Sequence, residues 1–327
     1  MMTAIADKMT STKQAYALGT HKSHMSQLRA YVKFCLVFGH EPVTQTGVTT
    51  MILVHYVMWL AASGLKTLRG YVSMGPRVLC ESHDAPWETI SHRPRLRRML
   101  QSLERMFGVP PKQKHPIRIS QLTKVMHHLR HDNTLADQTF KVATLIGFFA
   151  FLRKANYTVE SPDKFDPDVD LTIGSIIRKN GRYGIKLKRT KTVQFGQRRV
   201  VIWLPKMKNK IICPTAAISR LLRKRRGEPN SAPLLVTDDR LTPMSKTWFA
   251  RRFSKVFTAC GIPSRRVSPH SLRRGGATFA LEQGVDPTCI KLQGDWASDA
   301  WFLYVTFTDK LKRRTLRKME QYSPRHV

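Results

Sequence analysis

Apolar residues recur three and four positions apart in the amino-terminal part of the chain, notably over 23–38 and 95–107. This spacing places them on one face of a helix and predicts two amphipathic helices. The segment 49–63 is nearly all apolar and predicts a buried helix, and 65–79 predicts a weaker helix broken around Gly75-Pro76. The inward positions of the two amphipathic helices are Leu28, Tyr31, Val32, Cys35, Leu36, Leu96, Leu100, Leu103 and Phe107.

The hydrophobic spacing changes after residues 108–116, GVPPKQKHP, which have no apolar period. Their glycine, prolines and lysines predict a linker. Beyond the linker, helices are predicted at 120–131, 137–155, 214–225 and 245–260, and strands at 171–178, 182–188 and 198–204. The last two strands flank RTKTVQFGQR, which predicts a hairpin connection that turns near Gly196.

These elements predict a mainly α fold with a small antiparallel β-sheet, divided into two domains. A chain of 327 residues is long enough to bury a sizeable core in each of two domains. The predicted divisions are a flexible amino terminus at 1–20, a helical domain at 21–108, a linker at 109–116 and a mixed α+β domain at 117–327.

The charge of the chain indicates the class of partner. Lys and Arg number 56 against 22 Asp and Glu, which gives a formal net charge of +34 and a pI of about 10.6. So large an excess favours a polyanion such as nucleic acid. A membrane is disfavoured because we find no long basic amphipathic helix with a clean apolar face, and because the apolar run 51–62 is too short to span a bilayer. The amino terminus also lacks the apolar core of a signal peptide.

The cysteines carry no metal-binding signal, because none of them has a CxxC spacing. We interpret them as reduced, mostly buried thiols of an intracellular protein. Neither a zinc site nor another metal site or cofactor is expected. The five positions are Cys35, Cys80, Cys213, Cys260 and Cys289.

The stretch 268–305 carries the most specific chemistry of the chain. Ser268-Pro269 is a helix start, with an N-cap residue followed by proline at the first helical position. His270 and Arg273 lie three residues apart, so both project from one face of this helix. Later helix boundaries are predicted at Gly284, Asp286, Gly294 and Ser298.

The side chains of this stretch are those needed to cleave a phosphodiester without a metal. Such a reaction needs a nucleophile, cations for the non-bridging oxygens and a proton carrier. Tyr304 can attack, Arg273 can bind two phosphate oxygens, and His270 can share the tyrosine proton near neutral pH. The indole N–H of Trp296 can donate to a phosphate oxygen. Each residue alone is more often a packing or surface residue, and it is the ordered set that favours a function.

The motifs PHSLRRGGAT and GDW, followed by a tyrosine, resemble the tyrosine recombinase (phage integrase) family. The segment LIGFFAFLRKANY resembles the first arginine segment of that family, and RTKT resembles the segment that carries its hairpin lysine. All six residue types of the family signature therefore occur in the family order. They are Arg153, Lys191, His270, Arg273, Trp296 and Tyr304.

The resemblance implies an active site. Arg153 and Arg273 would hold the scissile phosphate while Tyr304 attacks it, which gives a 3′-phosphotyrosine and a free 5′-hydroxyl. Lys191 would protonate the leaving oxygen, and His270 would act as a base or proton relay. Trp296 would pack against the site and donate a hydrogen bond.

The resemblance also implies a domain arrangement, a DNA partner and an oligomeric state. Residues 21–108 would form a helical core-binding, SAM-like domain, and the two domains would close as a clamp on double-stranded DNA. A homotetramer would join two duplexes, with no metal, cofactor or small-molecule substrate. The details LRKAN and GDWASDAWFLY are similar to recombinases of eukaryotic mobile elements, such as the DIRS-like and Crypton groups, which implies a nuclear location.

Two positions depart from the family pattern. Asn156 stands where many members have an acidic residue that buttresses the histidine and the arginines. The interval between Trp296 and Tyr304 is short, so Tyr322 is a fallback nucleophile.

Other basic residues are candidate DNA contacts by charge density alone. Runs at 220–227 and 310–318 could bind phosphate or serve nuclear import, and solvated faces explain them nearly as well. Two further functions stay open: a type IB topoisomerase-like enzyme, and a non-catalytic DNA-binding protein derived from a recombinase. The individual candidate contacts are Arg93, Arg95, Arg97, Arg98, Lys188, Arg189 and Arg274.

Overall fold

The structure, a computed structural model, describes residues 18–65, 67–107, 113–188, 200–238, 241–296 and 298–320. The chain divides into two compact units, Met1–Lys112 and Gln113–Val327. Each unit contains its own cluster of buried apolar side chains and therefore its own core. Within the described residues, no helix is both long and apolar enough to cross a membrane.

The described part of the first unit is helical, as the apolar spacing predicts. The fully buried rings of Tyr31 and Tyr56 lie in its core, with centroids 5.1 Å apart. Its α-helices are α1 (Leu18–Phe38), α2 (Thr50–Ala62), α3 (Leu68–Ser82) and α4 (Pro94–Phe107), with a 3-10 turn at Ile90–His92.

Three burial predictions for this unit are wrong. Leu36 is 74% exposed, because α1 buries only a narrow stripe that ends at Cys35. Phe107 is exposed at the last residue of α4. Helix α2 is buried along one face only, and its Met51 and Met58 are exposed.

Helix α3 runs unbroken through Gly75-Pro76, where the sequence predicts a break. Proline removes one helical hydrogen bond, yet both residues are buried here. A Cβ on Gly75 would lie 2.6 Å from the carbonyl oxygen of Gln27, so glycine permits close packing of α3 on α1. Tertiary packing therefore outweighs the local tendency to break.

The described part of the second unit combines helices with one small sheet, which confirms the predicted fold class. Its α-helices are α5 (Ile119–His128), α6 (Leu135–Phe149), α7 (Pro214–Lys224), α8 (Lys246–Ala259), α9 (His270–Glu282), α10 (Pro287–Gln293) and α11 (Asp309–Glu320). Short 3-10 turns lie at Lys154–Asn156, Pro162–Lys164, Ile173–Ser175, Lys210–Ile212 and Asp299–Tyr304.

The sheet is antiparallel with the order β1-β2-β3. Its strands are β1 (Ile176–Lys179), β2 (Arg182–Leu187) and β3 (Val200–Trp203). Strands β2 and β3 pair as predicted, with Leu187 opposite Val200. The connection between them includes residues 189–199, which lie outside the described residues and contain the predicted turn at Gly196.

Strands β1 and β2 are joined at Asn180 and Gly181, whose φ angles are 50° and 70°. A two-residue turn with both φ angles positive is type I′, and Asn-Gly is its preferred sequence. Strand β1 is shorter than the predicted 171–178, because Ile173–Ser175 forms a 3-10 turn before it.

Helix α6 is the centre of the second core, and every residue from Asp137 to Phe149 in it is buried. It ends at Phe149, well before the predicted end at Ala155. The chain turns at Phe151, where φ is 50°, and this turn positions the residues that follow.

Candidate active site

Helix α9 carries His270 and Arg273 and lies against two other backbones. A Cβ on Gly275 would overlap the carbonyl oxygen of Ile117, and one on Gly276 would overlap that of Phe148 in α6. Only glycine leaves room for such close approaches. The glycine pair of PHSLRRGGAT therefore holds α9 close to both neighbours.

The ends of α9 follow the sequence signals closely. The helix begins at His270, one residue later than predicted, with Pro269 as its N-cap residue. The Ser268 N–H donates to the Ser271 hydroxyl at 3.1 Å, which stabilises the turn before the helix. Gly284, with φ of 84°, follows the end of α9 as predicted.

The guanidinium of Arg273 lies in the protein interior, and the residue is only 1% exposed. One terminal nitrogen donates to the Phe151 carbonyl, and the other donates to the Gly294 carbonyl at 2.8 Å. The guanidinium carbon lies 3.8 Å from the ring centroid of Trp296 and 5.2 Å from that of Tyr304. Two carbonyls and an aromatic face thus fix the orientation of this cation.

Carbonyl oxygens hold Arg273 without cancelling its charge. Burial and the charge of Arg153 lower the pKa of Arg273 to about 9, although Tyr304 and Asp295 offset part of this shift. Arg273 is therefore still cationic at neutral pH. Its Nε is buried and has no hydrogen-bond partner among the described residues. The arrangement is suited to stabilising an oxyanion.

The two carbonyls that bind Arg273 lie at or next to left-handed backbone positions. Phe151 has φ of 50°, whereas Gly294 has φ of −87° and is followed by Asp295 with φ of 51°. Left-handed conformations cost non-glycine residues on the order of 1–3 kcal/mol and cluster at functional sites. The turns that contain them carry the two carbonyls that bind one guanidinium.

Tyr304 reaches this cluster from a 3-10 turn, Asp299–Tyr304, which begins directly after the helix boundary predicted at Ser298. Ser298 caps the turn, as predicted. The half-buried ring of Tyr304 has its centroid 5.1 Å from that of His270 and 5.2 Å from that of Trp296. The short interval after Trp296 is therefore sufficient to bring the two rings together.

His270 is the first residue of α9, with part of its surface open to solvent and part of its ring packed against the site. Desolvation lowers the pKa of its imidazole, and the charges of Arg273, Arg274 and Arg153 lower it further. A lowered pKa keeps the imidazole neutral at pH 7, where it can accept a proton.

Arg153 is half-buried and directly precedes the 3-10 turn Lys154–Asn156. The Asn156 side-chain oxygen accepts the Arg153 backbone N–H at 3.0 Å, so Asn156 stabilises the turn that presents this arginine. The charge of Arg153 lowers the pKa of both His270 and Arg273, which places it within reach of the cluster.

Trp296 packs in a small apolar cluster with Phe151, Ala277, Ile290 and Trp301. Its indole N–H is buried and has no partner among the described residues. Since indole nitrogen can only donate, this group is suited to an oxygen ligand beside Arg273. Among the described residues, no group of three or more His, Cys, Asp or Glu could hold a metal ion.

Several solved structures resemble the chain over most or all of its length. An integrase of the Tn1549 transposon, in complex with transposon right end DNA, is 15% identical with a TM-score of 0.59, covering 97% of this chain and 98% of that chain. A lambda integrase dimer bound to a COC′ core site is 12% identical with a TM-score of 0.58, covering 100% and 99%. The XerH site-specific recombinase bound to palindromic difH substrate is 14% identical with a TM-score of 0.56, covering 84% and 71%.

The chain has the tyrosine recombinase fold. No family model matches the sequence, and a comparison with curated proteins gives no match. At this level of identity the likeness establishes the fold, and the candidate site is supported by its own geometry.

Within the tyrosine recombinase fold, the structure brings together five of the six predicted site residues. Lys191 lies outside the described residues, as do Arg189 and the fallback nucleophile Tyr322. The five residues that come together are Arg153, His270, Arg273, Trp296 and Tyr304.

The predicted DNA contacts divide into exposed and buried residues. Arg95, Arg97 and Arg98 are exposed on α4, as a surface contact requires. Lys188 is half-buried, and its ammonium donates to the Pro167 carbonyl.

Arg93 and Arg274 do not fit the surface contacts predicted for them. Arg93 is 6% exposed, donates to the Thr50 hydroxyl at 3.0 Å and pairs with Glu88 at 3.3 Å. Arg274 is also buried, and it donates to the Lys114 carbonyl. Charge density along the sequence does not separate such buried cations from exposed ones.

Sequence reasoning missed the backbone groups that orient Arg273. Gly294 is the predicted end of a helix and Asp295 lies in the turn that follows it, but this signal does not indicate that the Gly294 carbonyl binds Arg273. Phe151 offers no comparable signal, because phenylalanine has no preference for positive φ.

Proposed function

We propose that the protein is a site-specific DNA recombinase or integrase that cuts and rejoins DNA through a 3′-phosphotyrosine on Tyr304. The observation that carries this proposal is the grouping of buried, carbonyl-held Arg273 with His270 and Tyr304. A preorganised cation in a water-poor site stabilises transition-state charge more strongly than one in water. The fold supports the same function.

In the proposed reaction the Tyr304 oxygen attacks the scissile phosphorus. A tyrosine–phosphorus ester bond forms while the bond from phosphorus to the 5′ oxygen breaks. The phenolic proton passes to His270, which is neutral at pH 7 because its pKa is lowered.

The other members of the site act on the phosphate oxygens. Arg153 and Arg273 stabilise negative charge on the non-bridging oxygens, and the Trp296 indole donates a hydrogen bond. Lys191 gives a proton to the leaving 5′ oxygen, a role that rests on the resemblance of RTKT to the hairpin segment of the family.

The ester keeps the energy of the broken bond, so rejoining needs no ATP. Attack by the 5′-hydroxyl of a second duplex completes strand exchange, and we propose a homotetramer on two duplexes for this step. The two units would close on DNA as a clamp, with phosphate contacts of the +34 chain supplying most of the affinity. A mobile-element origin and a nuclear location remain part of this proposal.

A pool of nicked duplex oligonucleotides with randomised sequence tests the proposal. A nick near the cleavage site lets the released fragment diffuse away, which traps the covalent intermediate. We expect an SDS-resistant protein–DNA adduct in EDTA, enriched for particular sequences and lost in Tyr304→Phe. Tyr322→Phe is the matched control and should keep the adduct.

Each of the other outcomes would support a different assignment of the nucleophile or of the function. An adduct that persists in Tyr304→Phe would exclude this residue as the nucleophile. Duplex binding without any adduct would support a non-catalytic DNA-binding protein. Relaxation of supercoiled plasmid without strand exchange would support a topoisomerase-like enzyme.

A further inference from the structure

Residues 113–117, here called the entry segment, include the last residues of the predicted linker and lie against the start of α9. The His115 N–H donates to the Arg266 carbonyl at 2.8 Å. The Ile117 N–H donates to the Ser271 carbonyl at 3.0 Å. These main-chain bonds join the entry segment both to the turn before α9 and to its first turn.

Arg274 reinforces this junction from the buried side. Its guanidinium donates to the carbonyl of Lys114, and Gly275 lets the Ile117 backbone approach α9 directly. Burial lowers the pKa of Arg274, and the nearby Tyr304 offsets part of this shift. The sequence from 240 to 281 contains no Asp or Glu, so the local chain supplies no carboxylate to replace the carbonyl partner.

We propose that Arg274 is a positioning residue that couples the entry segment to α9. The inference rests on the proposed function, because it assigns a role within that reaction. The bond from Arg274 to Lys114 sets the first turns of α9 relative to the entry segment. His270 and Arg273 lie on those turns and move with them.

This coupling matters because the entry segment contains the end of the predicted linker. In this proposal, a shift of the preceding residues on DNA binding passes to Lys114 along the chain. Misplacement of reacting groups by about 1 Å can slow a reaction about 100-fold. Lysine at 274 would keep the charge but lacks the planar set of donors of a guanidinium.

The test compares Arg274→Ala, Arg274→Lys and Arg266→Ala in the full chain, on a duplex recovered from the nicked pool. Arg266 is an exposed neighbour whose bond to the entry segment uses its carbonyl, so alanine keeps that bond. Arg274→Ala should slow single-turnover adduct formation at saturating protein about 10- to 100-fold. Its duplex affinity should stay within about threefold. Arg274→Lys should restore part of the rate.

Arg266→Ala should weaken duplex binding and keep the saturated rate. Hydrogen exchange of the His115 and Ile117 amides in the free protein gives a second readout. Exchange should quicken in Arg274→Ala and stay unchanged in Arg266→Ala. Because exchange is measured without DNA, it tests the coupling even if the wild-type protein forms no covalent adduct. A failure of the coupling can therefore be distinguished from a failure of the proposed function.

Two results would overturn the coupling. One is unchanged exchange together with an unchanged saturated rate in folded Arg274→Ala. The other is an equal loss of saturated rate in Arg274→Ala and Arg266→Ala. If Arg274→Ala does not fold, the same comparison is made with Arg274→Lys, which should then show the slower rate and the faster exchange.

Discussion

Arg225 and Arg273 are both buried arginines of the second unit, but different groups bind them. Arg225, 3% exposed just after α7, pairs with the Glu228 carboxylate and donates to the Leu234 carbonyl at 2.7 Å. Arg273, 1% exposed, donates to two carbonyls and stacks on Trp296. The charge of Asp295 favours the cationic form of Arg273, but burial and the charge of Arg153 outweigh this effect.

This difference separates a structural cation from one that can act on a ligand. A carboxylate cancels the charge of Arg225 and stabilises the chain around it. Carbonyls orient Arg273 while its charge remains, and the desolvation that this entails lowers its pKa to about 9. A buried arginine held by backbone oxygens is therefore a better candidate for phosphate chemistry than one held by an acid.

The largest expected effect comes from Arg273. Arg273→Ala should slow adduct formation on the nicked duplex by at least about 10³-fold, because it removes the main stabiliser of oxyanion charge. Arg273→Lys should recover little, since an ammonium cannot bridge both carbonyls and a phosphate. Single-turnover rates at saturating protein measure this, and duplex binding should change little. A rate loss of the same size in folded Arg225→Ala would contradict the distinction between the structural role of Arg225 and the phosphate-binding role proposed for Arg273.

The next effect is on stability and comes from Arg225. Arg225→Ala should lower the free energy of unfolding by about 3 kcal/mol, because Glu228 and a buried carbonyl lose their partner. Urea unfolding measures the change. The matched control is Arg226→Ala, an exposed neighbour in the same basic run, which should stay within about 0.5 kcal/mol. Equal effects at both positions would contradict the structural role of Arg225.

The smallest expected effect comes from His270. Because desolvation and three arginines lower the pKa of His270, adduct formation should be constant at neutral pH and fall only below its ordinary value of 6.5. As the pH drops through the lowered pKa, the imidazole gains a proton and can no longer accept one from Tyr304. A pH–rate profile measures this fall in rate at low pH. His270→Gln should remove the pH dependence and lower the rate at neutral pH about 100-fold. A fall in rate that begins above pH 6.5 would exclude His270 as the proton acceptor.

Local signals in the sequence were sufficient to predict most helices, and to predict that His270 and Arg273 share one face of α9. Apolar spacing predicts the helices of the first unit, and the Asp286-Pro287 signal predicts the start of α10, where Asp286 caps the helix. Asn180-Gly181 is an equally clear local signal for a tight turn, although the turn was not among the predictions. Such features depend on neighbours along the chain.

Other features depend on contacts between residues that are distant in the sequence, and local sequence patterns could not predict them. Helix α6 stops at Phe149 although its apolar pattern continues, because the Phe151 carbonyl turns to a guanidinium more than a hundred positions away. Helix α3 continues through Pro76 because its buried face packs on α1. Arg153 and Lys191 were selected by resemblance and not by local pattern, and the structure groups only the former with the site within the described residues.

The glycine pair in α9 also has a consequence for motion. The Ile117 and Phe148 backbones lie close against Gly275 and Gly276, and this close packing restricts rotation and sliding of α9. Tyr304, in contrast, is carried by a 3-10 turn whose Phe302 and Leu303 are exposed. Fluctuations should therefore be larger at the tyrosine than at the arginine beside it. In the proposed reaction, Tyr304 can then approach and withdraw while Arg273 stays in place.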